Sequence, residues 1–329
     1  MARPVARRTT EPAEAFRIAR EDGVAMLVGC DCSTREAAAL LPSRVFGSAL
    51  AAVQTPIHVG MNNTGFSGTR RLAHTETRGM HQDQIIQYKW DELPDFFLLA
   101  CQRPCAQGGG NSTWLDLWDV LDRLEQSPDT SWVPERLLSQ QHPLIHVLAV
   151  PTDYQRLAAD PGAVVDEAPS PGVDVATPEE RVDYFGSRLS SGRRFVKYSG
   201  RHVRPVPDAV DPERDLSMVR IMQTAVEAAE AAALDADEAA ATARLGCAAM
   251  EAGDCLVIDN YRCLHGREPY FDEDRSMWQM WCWTTEALAV PTDPGPFRAW
   301  QLPPAPVVRA RQHNSSMEAS GSTGRKSKL

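Results

Sequence analysis

Nothing in the 329 residues approaches the ~20 consecutive apolar residues of a membrane-spanning helix, which excludes that class of integral membrane protein. Behind the basic N-terminal residues Arg3, Arg7 and Arg8 there is no apolar run either, so a cleavable secretory leader is not expected. Basic charge is in short supply: 34 Lys and Arg stand against 44 Asp and Glu, a formal net charge of −10. A field of that sign argues against nucleic acid and anionic membrane as partners. The eight cysteines contain no C-x-x-C pair. Cys30-x-Cys32 and Cys101-x-x-x-Cys105 lack a second pair of matching spacing, which removes the usual signature of a structural zinc site. Several cysteines sit inside apolar runs, as buried free thiols do, and the expected setting is a reducing, cytoplasmic one. Internal repeats are absent. What is present is a hydrophobic fraction of 43%, enough for the core of one large domain.

Domain limits follow from composition. Residues 1–12 are basic and contain proline, and residues 312–329 are rich in Ser, Gly, Lys and Arg with almost no apolar side chains, so both ends are expected to be disordered. A single domain is expected over 13–311. Its opening reads as a helix over 14–21 stopped by Asp22-Gly23, a strand over 24–28, and a helix over 37–41 introduced by the capping box Ser33-Thr34-Arg35-Glu36. An apolar strand is predicted over 96–101, a glycine turn at Gly108-Gly109-Gly110, an amphipathic helix over 117–124, and a strand over 142–150 carrying His142 and His146. Residues 161–180 carry no periodicity and read as a long loop, part of a predicted lid insert over 155–192. Arg193, Arg194 and Lys197 lie on a strand-like run that is either a solvated basic face or a contact to an anionic substrate. An alanine-rich helix over 215–245 is expected to be capped by Gly246.

Residues 253–283 carry the chemistry. A Gly-Asp turn leads into the apolar run 255–258, then a polar corner at Asp259-Asn260, then His265, an acidic loop and an aromatic strand opening on Arg275. Period-two alternation puts Arg275, Met277, Gln279, Trp281 and Trp283 on one face of that strand, and Ser276, Trp278, Met280 and Cys282 on the other. A guanidinium at the mouth of an apolar strand needs an anion, and Arg offers a fork that fits a carboxylate. Far upstream, in Met80-His81-Gln82-Asp83, a histidine and a carboxylate at i and i+2 leave the same face of an extended segment. With His265 they make two imidazoles and one carboxylate, a set that suits Fe(II) and leaves positions open for a co-substrate and O₂. His74-Thr75-Glu76 is the rival pair.

Together, Gly79-Met80-His81-Gln82-Asp83, the block Gly109-Gly110-Asn111-Ser112-Thr113-Trp114-Leu115-Asp116, and Asp259-Asn260 followed by His265-Gly266-Arg267 and Arg275 resemble the Fe(II)- and 2-oxoglutarate-dependent dioxygenases of the taurine dioxygenase (TauD/TfdA) and clavaminate synthase type. The resemblance implies an α+β, mainly β fold with a double-stranded β-helix (jelly roll, cupin-like) core and flanking helices. It implies His81, Asp83 and His265 as the catalytic metal ligands, and Arg275 as the partner of the far carboxylate of 2-oxoglutarate, helped by Ser112 with Thr113 in reserve. Fe(II), 2-oxoglutarate and O₂ follow as cofactors, with ascorbate as reductant in vitro. The implied reaction oxidises an unactivated C–H bond of a small molecule, by hydroxylation or by desaturation, epimerisation or ring closure, in natural-product (antibiotic) or amino-acid-derived metabolism. The carboxylate at Asp83 favours an oxygenase over a halogenase. Relatives carry a second Arg where this chain has Gln279, which speaks against taurine as substrate. A non-catalytic jelly-roll binder and a zinc hydrolase using the same triad are the competing readings, and a homo-oligomer is left open.

Overall fold

The computed structural model describes residues 5–60, 78–82, 93–139, 141–147, 179–188, 193–198, 203–205, 210–234, 245–270, 272 and 274–291. The first part of the chain forms β1 (Arg7–Thr9), α1 (Pro12–Asp22), β2 (Val24–Leu27), α2 (Arg35–Ala38), α3 (Leu41–Phe46), β3 (Leu50–Val53), β4 (Ile57–Val59), β5 (Arg78–His81), β6 (Phe96–Arg103), β7 (Ser112–Asp116), α4 (Leu117–Gln126) and α5 (Trp132–Ser139). The remainder forms β8 (Gln141–Val147), β9 (Glu179–Arg188), β10 (Arg194–Lys197), β11 (Val203–Pro205), α6 (Pro212–Leu234), β12 (Leu245–Ala248), β13 (Cys255–Asp259), β14 (Cys263–Arg267) and β15 (Ser276–Thr284). The protein is mixed α+β and mainly sheet. No helix of the described residues is long and apolar enough to cross a membrane.

Alternation along the strands builds the layers. A seven-stranded sheet runs β1-β2-β13-β6-β15-β3, with β4 also paired to β15, and a four-stranded sheet runs β12-β7-β14-β5. On one face of the large sheet Ala25, Leu27, Phe96, Leu98, Ala100, Val257, Met280 and Cys282 pack under Ile18 of α1 and Leu41, Val45 and Phe46 of α3. Its other face presents Met26, Phe97, Leu256, Ile258, Trp281 and Trp283 to Trp114, Ala248 and Cys263 of the small sheet. The small sheet turns Leu115 and Leu264 outward onto α4, α5 and α6 through Leu121, Leu137, Met218 and Met222. Two sheets therefore pack face to face between two helical layers, and residues of odd number on β15 point into the space between them, as the alternation predicts. Among the described residues a third sheet runs β10-β9-β8-β11.

Several expectations meet differences. The first helix and the helix over α4 are present. The helix over α6 spans Pro212–Leu234 and residues 235–244 lie outside the described set. Gly246 is no helix cap but a residue of β12, opposite Trp114 of β7. A Cβ there would come within 2.1 Å of the Trp114 indole, so the position serves close strand-to-ring packing. Thr34, not Ser33, caps α2, accepting from Ala37 N–H at 3.2 Å. Within the predicted lid, 179–188 forms β9 and the rest lies outside the described residues.

Candidate active site

The chain changes sheets at Asn260–Arg262, and that crossing sets up the site. Asp259 ends β13 and its carboxylate accepts Tyr261 N–H at 3.0 Å, which tightens the corner. Asn260 donates its side-chain amide to Pro94 O at 2.9 Å, and its N–H to Asp95 O at 3.0 Å. The chain then enters β14 and delivers His265 to the inner face of the small sheet. The ring of Phe97, an inner-face residue of β6, stacks on His265 at 4.6 Å between centroids and 13° between planes. On the neighbouring strand His81 stands directly opposite His265, with ring centroids 4.5 Å apart.

These two imidazoles line one cavity with Val59, Phe97, Leu99, Ser112, Arg267, Arg275 and Gln279. Apolar walls from the large sheet face a polar floor from the small one. Arg275 is 5% exposed; it donates from Nη2 to Gly110 O at 3.0 Å and lies 4.8 Å over the Tyr270 ring. No carboxylate pairs with it among the described residues, so its charge is available to an anion in the cavity. Arg267 lies over the same ring at 4.6 Å. The glycine turn makes this approach feasible: Gly110 has φ of 65° and a Cβ there would sit 3.0 Å from Arg275 Nε. Arg275 also borders a second cavity, lined by Cys101, Gly108, Gly109, Gly110 and Met250 among others. Burial pushes the Cys101 thiol up to about 12, so it stays neutral there.

Of the sequence-selected residues, the structure gathers His81, His265, Arg275 and Ser112 at the first cavity. Ser112 is buried, with its hydroxyl 3.6 Å from Met250 Sδ. Thr113 is not brought to the cavity. Alternation on β7, with Trp114 inward and Leu115 outward, sends its side chain to the other face, where its buried hydroxyl has no hydrogen-bond partner among the described residues. Asp83 and the rival His74 and Glu76 lie outside the described residues, and the side chains of His142 and His146 do too. Phe97, Leu99 and Val59 were not singled out from the sequence; inward alternation on β6 and β4 is the signal that marks them.

The basic run takes neither of its two expected roles at Arg193. Its guanidinium is buried and donates to Asp259 Oδ2 at 3.0 Å and to Asp95 Oδ2 at 3.4 Å. Asp95 in turn accepts Thr284 N–H at 2.8 Å. One cation serves two wholly buried carboxylates, and burial holds Asp95 at about 6 against the pull of Arg193 and Thr284. Arg194, by contrast, pairs with the exposed Asp122 at 2.7 Å.

Comparison with known proteins matches residues 3–281 to the model of a family described as taurine catabolism dioxygenase TauD, TfdA family. No curated protein matches the chain. Among solved structures it is similar to an asparagine oxygenase in complex with Fe(II), 2S,3S-3-hydroxyasparagine and succinate, at 16% identity and TM-score 0.47, covering 83% of this chain and 78% of that one. PvcB from Pseudomonas aeruginosa is similar at 12% identity and TM-score 0.47, over 86% and 84% of the two chains. The non-heme iron oxygenase OrfP in complex with Fe is similar at 14% identity and TM-score 0.44, over 83% and 78%.

Proposed function

Since the chain belongs to the taurine catabolism dioxygenase TauD, TfdA family and is an Fe(II)- and 2-oxoglutarate-dependent dioxygenase, we propose that His81, Asp83 and His265 hold its metal and that Arg275 receives the far carboxylate of the co-substrate. The observation that carries the reading is the juxtaposition of two inward imidazoles, 4.5 Å apart on paired strands, with a buried guanidinium in one cavity. The donor chemistry fits: two imidazole nitrogens and a carboxylate two residues further on in the sequence suit Fe(II). When bound, Fe(II) with 2-oxoglutarate and O₂ supplies the oxidising power, and the co-substrate leaves as succinate and CO₂. The protein does the holding. Phe97 fixes the plane of His265, and Arg275, steadied by Gly110 O and Tyr270, presents its fork without reorganising. Ser112 adds a hydroxyl at the cavity floor.

The two packed sheets support a double-stranded β-helix core for this chemistry. The substrate is a small molecule presenting an unactivated C–H bond, hydroxylation is the favoured outcome, and Gln279 in the cavity wall offers it an amide rather than a fixed cationic anchor. The purified chain given Fe(II), ascorbate, O₂ and 2-oxoglutarate should release succinate slowly without substrate. His81→Ala and His265→Ala should abolish that release and the bound iron together. Tight zinc with hydrolytic turnover, and no succinate, would overturn the proposal.

A further inference from the structure

We infer that Gln82 and Glu230 are positioning residues that set the geometry of the metal-binding strand; this rests on the ligand reading above. Among the described residues β5 spans four positions at the end of its sheet, and its pairing with β14 is irregular between His265 and Arg267. A short edge strand with one partner holds its side chains loosely unless its outer edge is tied down. Here side chains do the tying. Met80 N–H donates to Glu230 Oε1 of α6 at 2.8 Å. Gln82, between the two proposed ligands in sequence, is 2% exposed and spends its whole carboxamide on backbone. Its Nε2 donates to Val196 O at 2.6 Å and to Asn260 O at 2.7 Å, and its Oε1 accepts Tyr198 N–H at 2.7 Å.

The Asn260 contact is the telling one. That carbonyl belongs to the corner at which the chain changes sheets and enters β14, so Gln82 ties the residue beside His81 to the segment that delivers His265. Both imidazoles are thereby referred to one fixed point. Two donors into two carbonyls and one acceptor to an N–H also dictate an amide at this position: a carboxylate would face two carbonyl oxygens, and an apolar isostere would leave three buried backbone groups unsatisfied. Partners that orient ligands without touching the metal typically matter about 10- to 100-fold in metal affinity.

Titration of the full chain with Co(II), followed by its d–d absorption, tests this without turnover. The parent should bind one equivalent and His81→Ala none. Gln82→Met and Glu230→Ala should bind about 10- to 100-fold more weakly, whereas Glu230→Gln, which keeps the acceptor for Met80 N–H, should recover parental affinity. Asp215→Asn, which loses the Arg136 ion pair between α5 and α6, should lower the melting temperature and leave Co(II) affinity unchanged. Should Gln82→Met fail to fold, the Glu230 pair decides. Parental affinity in both Gln82→Met and Glu230→Ala, with binding lost in His81→Ala, overturns the positioning role alone. Parental binding by His81→Ala overturns the ligand reading and this inference with it.

Discussion

Replacing Arg275 by alanine isolates the co-substrate half of the site from the metal half. The guanidinium is 5% exposed and is held by Gly110 O at 3.0 Å and the face of Tyr270 at 4.8 Å. Removing one member of a buried, hydrogen-bonded charge pair costs about 2–5 kcal/mol. The low end applies here, because the metal would grip the other end of 2-oxoglutarate and water can enter the vacated space. About 2–3 kcal/mol corresponds to roughly 30- to 150-fold weaker binding. The folded state loses one hydrogen bond and one cation–π contact, each about 1 kcal/mol, offset in part by removal of a buried cation, so the melting temperature should move little. Titrating 2-oxoglutarate into the Co(II)-loaded protein gives the affinity directly, and succinate release against 2-oxoglutarate concentration gives KM. Both should shift together while Co(II) affinity holds. Arg275→Lys should fall between, since an ammonium restores charge without the fork. A co-substrate affinity within threefold of the parent would refute the assignment and transfer the role to Arg267, whose guanidinium lies over the same Tyr270 ring.

Three further outcomes are expected. His74→Ala should keep the parental iron stoichiometry and His81→Ala should lose it, by metal analysis after gel filtration; the opposite result exchanges the two ligand pairs. Asp95→Asn should become progressively more stable relative to the parent as pH rises. The folded Asp95 titrates at about 6, above its ordinary value of 3.8, so its contribution to stability is full below ~4 and lost as pH climbs through ~6; a difference in melting temperature that stays flat from pH 4 to 8 would refute this. Gly246→Ala should destabilise by about 1–3 kcal/mol through overpacking, since its Cβ would lie 2.1 Å from the Trp114 indole; an unchanged urea midpoint would show that the ring yields freely.

What could be read from the sequence was what a single strand decides for itself. Two-fold alternation is a property of the backbone, so Arg275, Gln279, Trp281 and Trp283 could be assigned to one face before any partner was known, and the layers of the fold confirm that face as the inner one. What resisted reading was everything decided by a distant partner. Arg193 stands beside Arg194 in a run that looks like a solvated cationic strand, yet one is buried and the other is not. The difference lies in Asp95 and Asp259, which reach Arg193 only after the sheets have formed. Gln82 shows the same limit at the site itself. Alternation puts it on the face opposite His81, but no local pattern says that its amide will meet Val196, Tyr198 and Asn260. Ligand identity is thus written locally, as residue types at a spacing, whereas ligand geometry is set by hydrogen bonds made across long stretches of chain. A motif therefore suggests a metal more readily than it reveals how firmly the protein would hold it, and for β5, paired only with β14 among the described residues, the firmness we propose rests on the amide of Gln82, just after the strand, and the carboxylate of Glu230 on α6.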